Sequence, residues 1–201
     1  KDIKQGIRFL KAKAGEYHLD SDKMIVWGGS AGGYMALMAC LFAEDSDYDN
    51  KADPYLNLKA DVAGGIAWYP LTDIASCDEE LETNSIIKKA LSIENTDLNE
   101  EYETAMPVSL ESEFPFYNCD GWLSMFVGER ADSGKEIVKK ASPIYAIHKN
   151  IPPVFIQHGT GDEIVPMQQS IRFAISVNAL CGEERVRMEL VPNAIHSSVL
   201  F

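Results

Sequence analysis

Gly28-Gly29-Ser30-Ala31-Gly32 sets a serine among small residues in a G-x-S-x-G pattern. It stands between an apolar run, Met24 to Trp27, and a helix-forming run from Tyr34 to Ala43. That strand–turn–helix context is the one in which the pattern presents a nucleophile. The turn must be very sharp, so the neighbours must be small. It lifts the hydroxyl above the sheet, and the first amide of the following helix, Ala31 N–H, points to where negative charge develops on a substrate oxygen. Two plainer readings exist: a glycine-rich link between strand and helix, and a phosphate-binding loop. The second lacks the Lys-Ser/Thr of a P-loop and the spacing of G-x-G-x-x-G.

A serine hydroxyl is a weak nucleophile and needs a base. Of the four histidines, His18 falls in a polar link, where it is expected to be exposed. His148 falls in a short helical stretch with no partner signal. His158 ends a strand just before Gly159-Thr160-Gly161-Asp162, where a histidine commonly holds a loop by hydrogen bonds. His196 falls in a loop after the last strand, and the C-terminal ends of parallel strands are where ligands and reactive groups collect. His196 is therefore the expected base. The acid that orients it is expected to be Asp162, which follows the strand ending at His158, with Glu163 as the alternative. The chain order is Ser30, Asp162, His196.

These residues need elements to hold them. Ile3, Ile7, Leu10 and Ala14 predict a first helix with Lys4, Arg8, Lys11 and Lys13 on its wet side and Gly15 as its stop. Met24 to Trp27 and Asp61 to Pro70 read as buried strands, and Pro153 to His158 as a third. The Tyr34 to Ala43 helix is apolar all round and belongs inside. Val165 to Leu180 predicts a helix with Ile171, Ala174, Ile175 and Asn178 near one face. Val186 to Val191 alternates, as a strand nearer the sheet edge does. Strands separated by helices imply an α/β protein with a mostly parallel sheet and helices on both faces.

Residues 72–142 break this alternation. They carry 16 acidic and 6 basic residues, a net charge of −10 out of −13 for all 201 residues. Helical stretches are expected at Ser85 to Leu91 and Asn99 to Met106, with no strong strand. This segment reads as a helical acidic cap or insertion, dividing a core made of residues 1–71 and 143–201. The acidic balance argues against nucleic acid and anionic lipid as partners. No apolar run reaches the ~20 residues that span a bilayer. The four cysteines show no zinc spacing and are expected to be free thiols. The chemistry calls for no metal and no cofactor. A homo-oligomer stays open, as does the compartment, with the cytoplasm the default for scattered reduced thiols.

Five stretches resemble the α/β-hydrolase superfamily, in its esterase/lipase branch of hormone-sensitive-lipase-like and feruloyl-esterase-like enzymes. They are Asp22 to Met38, Gly64 to Asp73, Ser142 to Ile147, Pro152 to Ser170 and the loop around His196. The Ser…Asp…His order is that of this superfamily. The resemblance implies Ser30 as nucleophile, Asp162 as acid, His196 as base and Ala31 N–H as an oxyanion donor. It implies a serine carboxylester hydrolase, and an acidic cap whose charge faces the cleft would favour a small neutral ester, such as an acetyl, aryl or acylated-sugar ester. Tyr34, Trp68 and Tyr69 are candidates for its pocket or for the core. The same triad serves amides, so a dipeptidyl-peptidase-like or formamidase-like enzyme stays open, as does a binding protein or an inactive fragment. Such enzymes carry an upstream H-G-G-type loop that supplies further oxyanion amides. This sequence has none, and it holds roughly the second half of the usual sheet. The expectation is therefore that N-terminal strands are missing from this chain. A small departure is Ser197, where glycine often follows the histidine.

Overall fold

The computed structural model describes residues 1–91 and 121–201. Four strands, β1 (Ile25–Gly29), β2 (Gly64–Trp68), β3 (Val154–Gly159) and β4 (Val186–Val191), form one sheet in the order β1-β2-β3-β4. Every pairing is parallel, with Val26 opposite Gly65, Gly65 opposite Val154 and Val154 opposite Val186. Helices α1 (Asp2–Ala12) and α2 (Ala14–Tyr17) precede β1, and α3 (Ala31–Leu41) follows it. Helices α4 (Cys77–Leu91), α5 (Trp122–Val127) and α6 (Glu136–Lys140) belong to the acidic segment, and α7 (Met167–Cys181) joins β3 to β4. The helix expected at Asn99 to Met106 lies outside the described residues.

The main core lies on one face of the sheet. Leu37, Cys40 and Leu41 of α3 and Phe173, Ala174 and Val177 of α7 pack on Ala67, Val154, Ile156 and Val186. Helix α3 can be apolar all round because sheet and neighbours enclose it. The opposite face presents Ile25 and Trp27, 60% and 63% exposed, beside half-buried Ile66, Trp68 and Phe155. Among the described residues, then, the helical cover lies on one face. On the other, Trp27 meets Trp68 edge-on at 4.8 Å, and Phe201 stacks on Trp68.

Three sequence expectations need correction. Helix α1 turns a different face inward: Lys4, Ile7 and Arg8 are buried, while Ile3 and Leu10 are exposed. The reason is electrostatic. Arg8 donates to Asp49 (2.7 Å), Asp53 (3.3 Å) and the Leu58 carbonyl (2.8 Å), and Lys4 donates to the Asp45 carbonyl (2.7 Å). Buried carboxylates and carbonyls of the 45–58 loop thus draw the cations in, because a buried charge must be paired. Gly15 does not stop the helix; it lies inside α2, and His18 ends it in the left-handed conformation at φ 55°. In α7 the buried stripe is Ser170, Phe173, Ala174 and Val177, and Ile175 is 65% exposed.

A second apolar cluster joins Leu71, Ile74, Cys77 and Leu81 to Leu123, Val127, Val138 and Val165. Polar contacts tie its start to α7. The Gln169 side chain accepts from the amides of Thr72 (2.9 Å) and Asp73 (2.6 Å), and Arg172 pairs with Asp73 (2.8 Å). Cys40, Cys77 and Cys181 are free thiols; Cys119 lies outside the described residues.

Candidate active site

Ser30 sits at the turn between β1 and α3 with φ 53° and ψ −121°. That conformation is costly for a residue with a side chain and is typical of functional turns. Two glycines make the turn possible. A Cβ on Gly28 would lie 2.4 Å from the Gly32 carbonyl carbon, and one on Gly33 would lie 2.8 Å from the Trp68 carbonyl oxygen. The Ser30 amide donates to the Trp68 carbonyl at 3.0 Å, which fastens the turn to the end of β2. Ala31 opens α3, and its N–H is among the four that helix geometry leaves without an intrahelical acceptor.

The three expected residues meet here. Ser30 Oγ lies 2.8 Å from His196 Nε2, and His196 Nδ1 lies 2.8 Å from Asp162 Oδ2. A carboxylate only accepts, so Nδ1–H donates to Asp162 and Nε2 is left to accept from the serine hydroxyl. The other oxygen, Asp162 Oδ1, accepts from the amides of Ile164 and Val165, both at 2.9 Å. Burial pushes the Asp162 carboxyl up, but hydrogen bonds from His158 and His196 outweigh it and hold the group at about 2. Glu163, the alternative acid, is an exposed side chain.

The remaining histidines sort by contact. His18 is exposed. His148 Nε2 donates to the Leu41 carbonyl (2.8 Å), and its Nδ1 accepts from the Asn150 amide (3.2 Å), so it ties its own loop to the end of α3. His158 is fully buried; its Nδ1 lies 2.7 Å from Ser170 Oγ and its Nε2 lies 2.8 Å from the Val165 carbonyl.

The aromatic candidates divide. Tyr34 lines a cavity of about 60 Å³ beside Ser30, with Met35, Leu71, Leu123, Phe126 and Val165. Phe126 meets Tyr34 edge-on at 5.7 Å. Burial pushes the Tyr34 phenol up to about 12, so this wall is uncharged. Tyr69 instead packs edge-on against His196 at 4.6 Å, from a backbone at φ 37°. Trp68 packs on the sheet face. Leu123 and Phe126 carry no signal for this site in the sequence, because only folding brings their segment to Ser30. The four-residue step from His158 to Asp162 was visible but does not say which way the ring faces.

Among the described residues no group of three or more His, Cys, Asp or Glu could hold a metal ion. No described helix is long and apolar enough to cross a membrane.

A family model described as BD-FAE matches residues 1–116 and 117–176. Esterase LipQ of Mycobacterium tuberculosis is 25% identical over 197 residues, 98% of this chain and 38% of that protein. The chain thus spans about two fifths of the length of this curated relative. Among solved structures, a truncated form of a carbohydrate esterase from gut microbiota aligns with a TM-score of 0.70 at 19% identity, over 98% of this chain and 60% of that one. The propionate-bound esterase Est2 of Thermogutta terrifontis aligns at 0.61 with 22% identity, over 98% and 54%. These likenesses establish the α/β-hydrolase fold that the sequence motifs imply.

Proposed function

We propose, from the premise that the chain belongs to the BD-FAE family, that it carries the nucleophile, base and acid of a serine carboxylester hydrolase. The observation that carries this reading is the unbroken hydrogen-bond chain from Ser30 Oγ through His196 to Asp162, both links 2.8 Å long. Ser30 Oγ attacks the ester carbonyl as its proton passes to His196 Nε2. Ala31 N–H receives the negative oxygen. The imidazolium, stabilised by ionised Asp162, then gives its proton to the departing alkoxide, leaving an acyl-enzyme. Water attacks that ester while His196 takes its proton, and His196 then returns the proton to Ser30 Oγ as the carboxylic acid leaves.

The substrate is a small neutral ester. The cavity beside Ser30 is apolar and holds only about four water-sized groups by the usual measure of void volume, which suits an acetyl to butyryl chain. From the acidic segment, Leu123 and Phe126 wall this cavity, which is the part expected of a cap. The net −10 of this segment disfavours anionic substrates. The full-length protein is expected to hydrolyse p-nitrophenyl acetate, and Ser30→Ala to lower kcat/KM by roughly 10⁴-fold or more. Activity kept by that variant would remove the assignment.

A further inference from the structure

We propose that His158 is a positioning residue for the Asp162–His196 pair, a second imidazole whose Nε2–H edge lies against the same carboxylate oxygen. This rests on the esterase reading for its consequence, though not for its geometry. His158 is buried to 0% exposure, and the proposed reaction does not use it. The Val165 carbonyl, 2.8 Å from Nε2, can only accept, so Nε2 carries the ring proton. In the neutral ring Nδ1 then accepts from the Ser170 hydroxyl at 2.7 Å. The same Nε2 lies 3.3 Å from Asp162 Oδ2, the oxygen that takes His196 Nδ1. That second contact is a polar approach outside hydrogen-bond alignment, since the Nε2 proton points to Val165. It is nevertheless made in a fully buried place, where a dipole beside a charge counts for more.

Val165 closes the arrangement. Its N–H donates to Asp162 Oδ1 and its C=O accepts from His158. The loop that carries the acid is thus clamped at both backbone groups of one residue, and the clamp ends on the buried α7 side chain Ser170. The chemical consequence follows from sharing. A carboxylate oxygen with the His158 N–H dipole 3.3 Å away is less basic, so the ring proton stays on His196 Nδ1 when the imidazolium forms. Among the described residues, the titratable groups facing this cluster are Cys77 of α4, whose thiol burial and nearby carboxylates push well above its ordinary range, and Tyr69 at the end of β2. None of them is a cation.

The test is proton and nitrogen NMR of the histidine rings in the full-length protein, beside kcat and KM. In His158→Leu, Asp162 loses that dipole and becomes the stronger acceptor. The His196 titration and the acid limb of kcat/KM are then expected to move to higher pH. kcat is expected to fall roughly ten- to a hundred-fold, the range for losing a hydrogen bond to a charge, with KM unchanged. His158→Gln, which restores an N–H near the Nε2 position, is expected to return all three towards wild type. An unmoved His196 titration in His158→Leu overturns the proposal, and so does equal displacement in both variants, which means packing alone. If His158→Leu does not fold, Ser170→Ala weakens the same donor and must move the His196 titration the same way; no movement overturns it. A wild-type protein without esterase activity would refute the function while leaving the ring titrations to decide on His158.

Discussion

Asp162 accepts from three donors, the amides of Ile164 and Val165 and the ring of His196, and His158 Nε2 stands 3.3 Å from the same oxygen as His196. Its carboxyl stands at about 2 in the fold against an ordinary 3.8. A carboxyl lowered by folding stabilises the native state above its unfolded value and loses that contribution as pH falls through the folded one. Asp162 is therefore expected to contribute roughly 2 kcal/mol above pH 4 that disappears between about pH 4 and pH 2. Urea denaturation of wild type and Asp162→Asn across that range checks it: the stability gap must narrow as pH falls. In the proposed reaction the same variant is expected to lose about 10⁴-fold in kcat, because the imidazole loses its tautomer-fixing acceptor. At this scale the sequence was informative. Ser30, Asp162 and His196 were each legible from a local pattern at the end of a strand. The contacts of His158 and Tyr69 were not, because a ring's direction depends on what packs against it.

Helix α1 shows what periodicity misses at the scale of the element. Apolar spacing found the helix and missed its inward face, since the partners of Lys4 and Arg8 lie more than forty residues away in the chain. Arg8→Ala leaves Asp49 and fully buried Asp53 without their guanidinium. It is expected to cost about 3–5 kcal/mol in chemical denaturation, the range for breaking one side of a buried pair. A loss below 1 kcal/mol would mean that water enters and solvates the two acids. The β1–α3 turn is the opposite case. Its glycines were readable because backbone packing admits no Cβ at Gly28 or Gly33, a constraint that acts within a few residues.

For the molecule as a whole, the described part of the acidic segment is packed against the elements around Ser30 rather than appended to them. Leu123 and Val127 share a core with Leu71 and Val165, and Phe126 reaches the cavity beside Ser30. Removing the Phe126 ring enlarges that cavity at its rim. Phe126→Ala is expected to shift preference several-fold from p-nitrophenyl acetate towards the hexanoate, since each methylene newly buried adds about 0.8 kcal/mol. An unchanged ratio of kcat/KM would show that chain length is limited elsewhere. The sequence marked residues 72–142 by charge, yet charge does not say which of its residues face inward.

By itself the sequence determined the order of elements and the parallel α/β class, and it singled out three candidate residues at the strand ends. Those depend on local periodicity, turn chemistry and the one-way geometry of strand–helix crossings. Only the tertiary structure decided which face of α1 is buried, that the described helices cover one face of the sheet, and that two residues from the acidic segment wall the serine's cavity. It also decided that two histidines meet one carboxylate oxygen. The reason is common to all four: each depends on groups far apart in the chain, whose meeting is settled by burial and pairing in three dimensions and leaves no periodic trace.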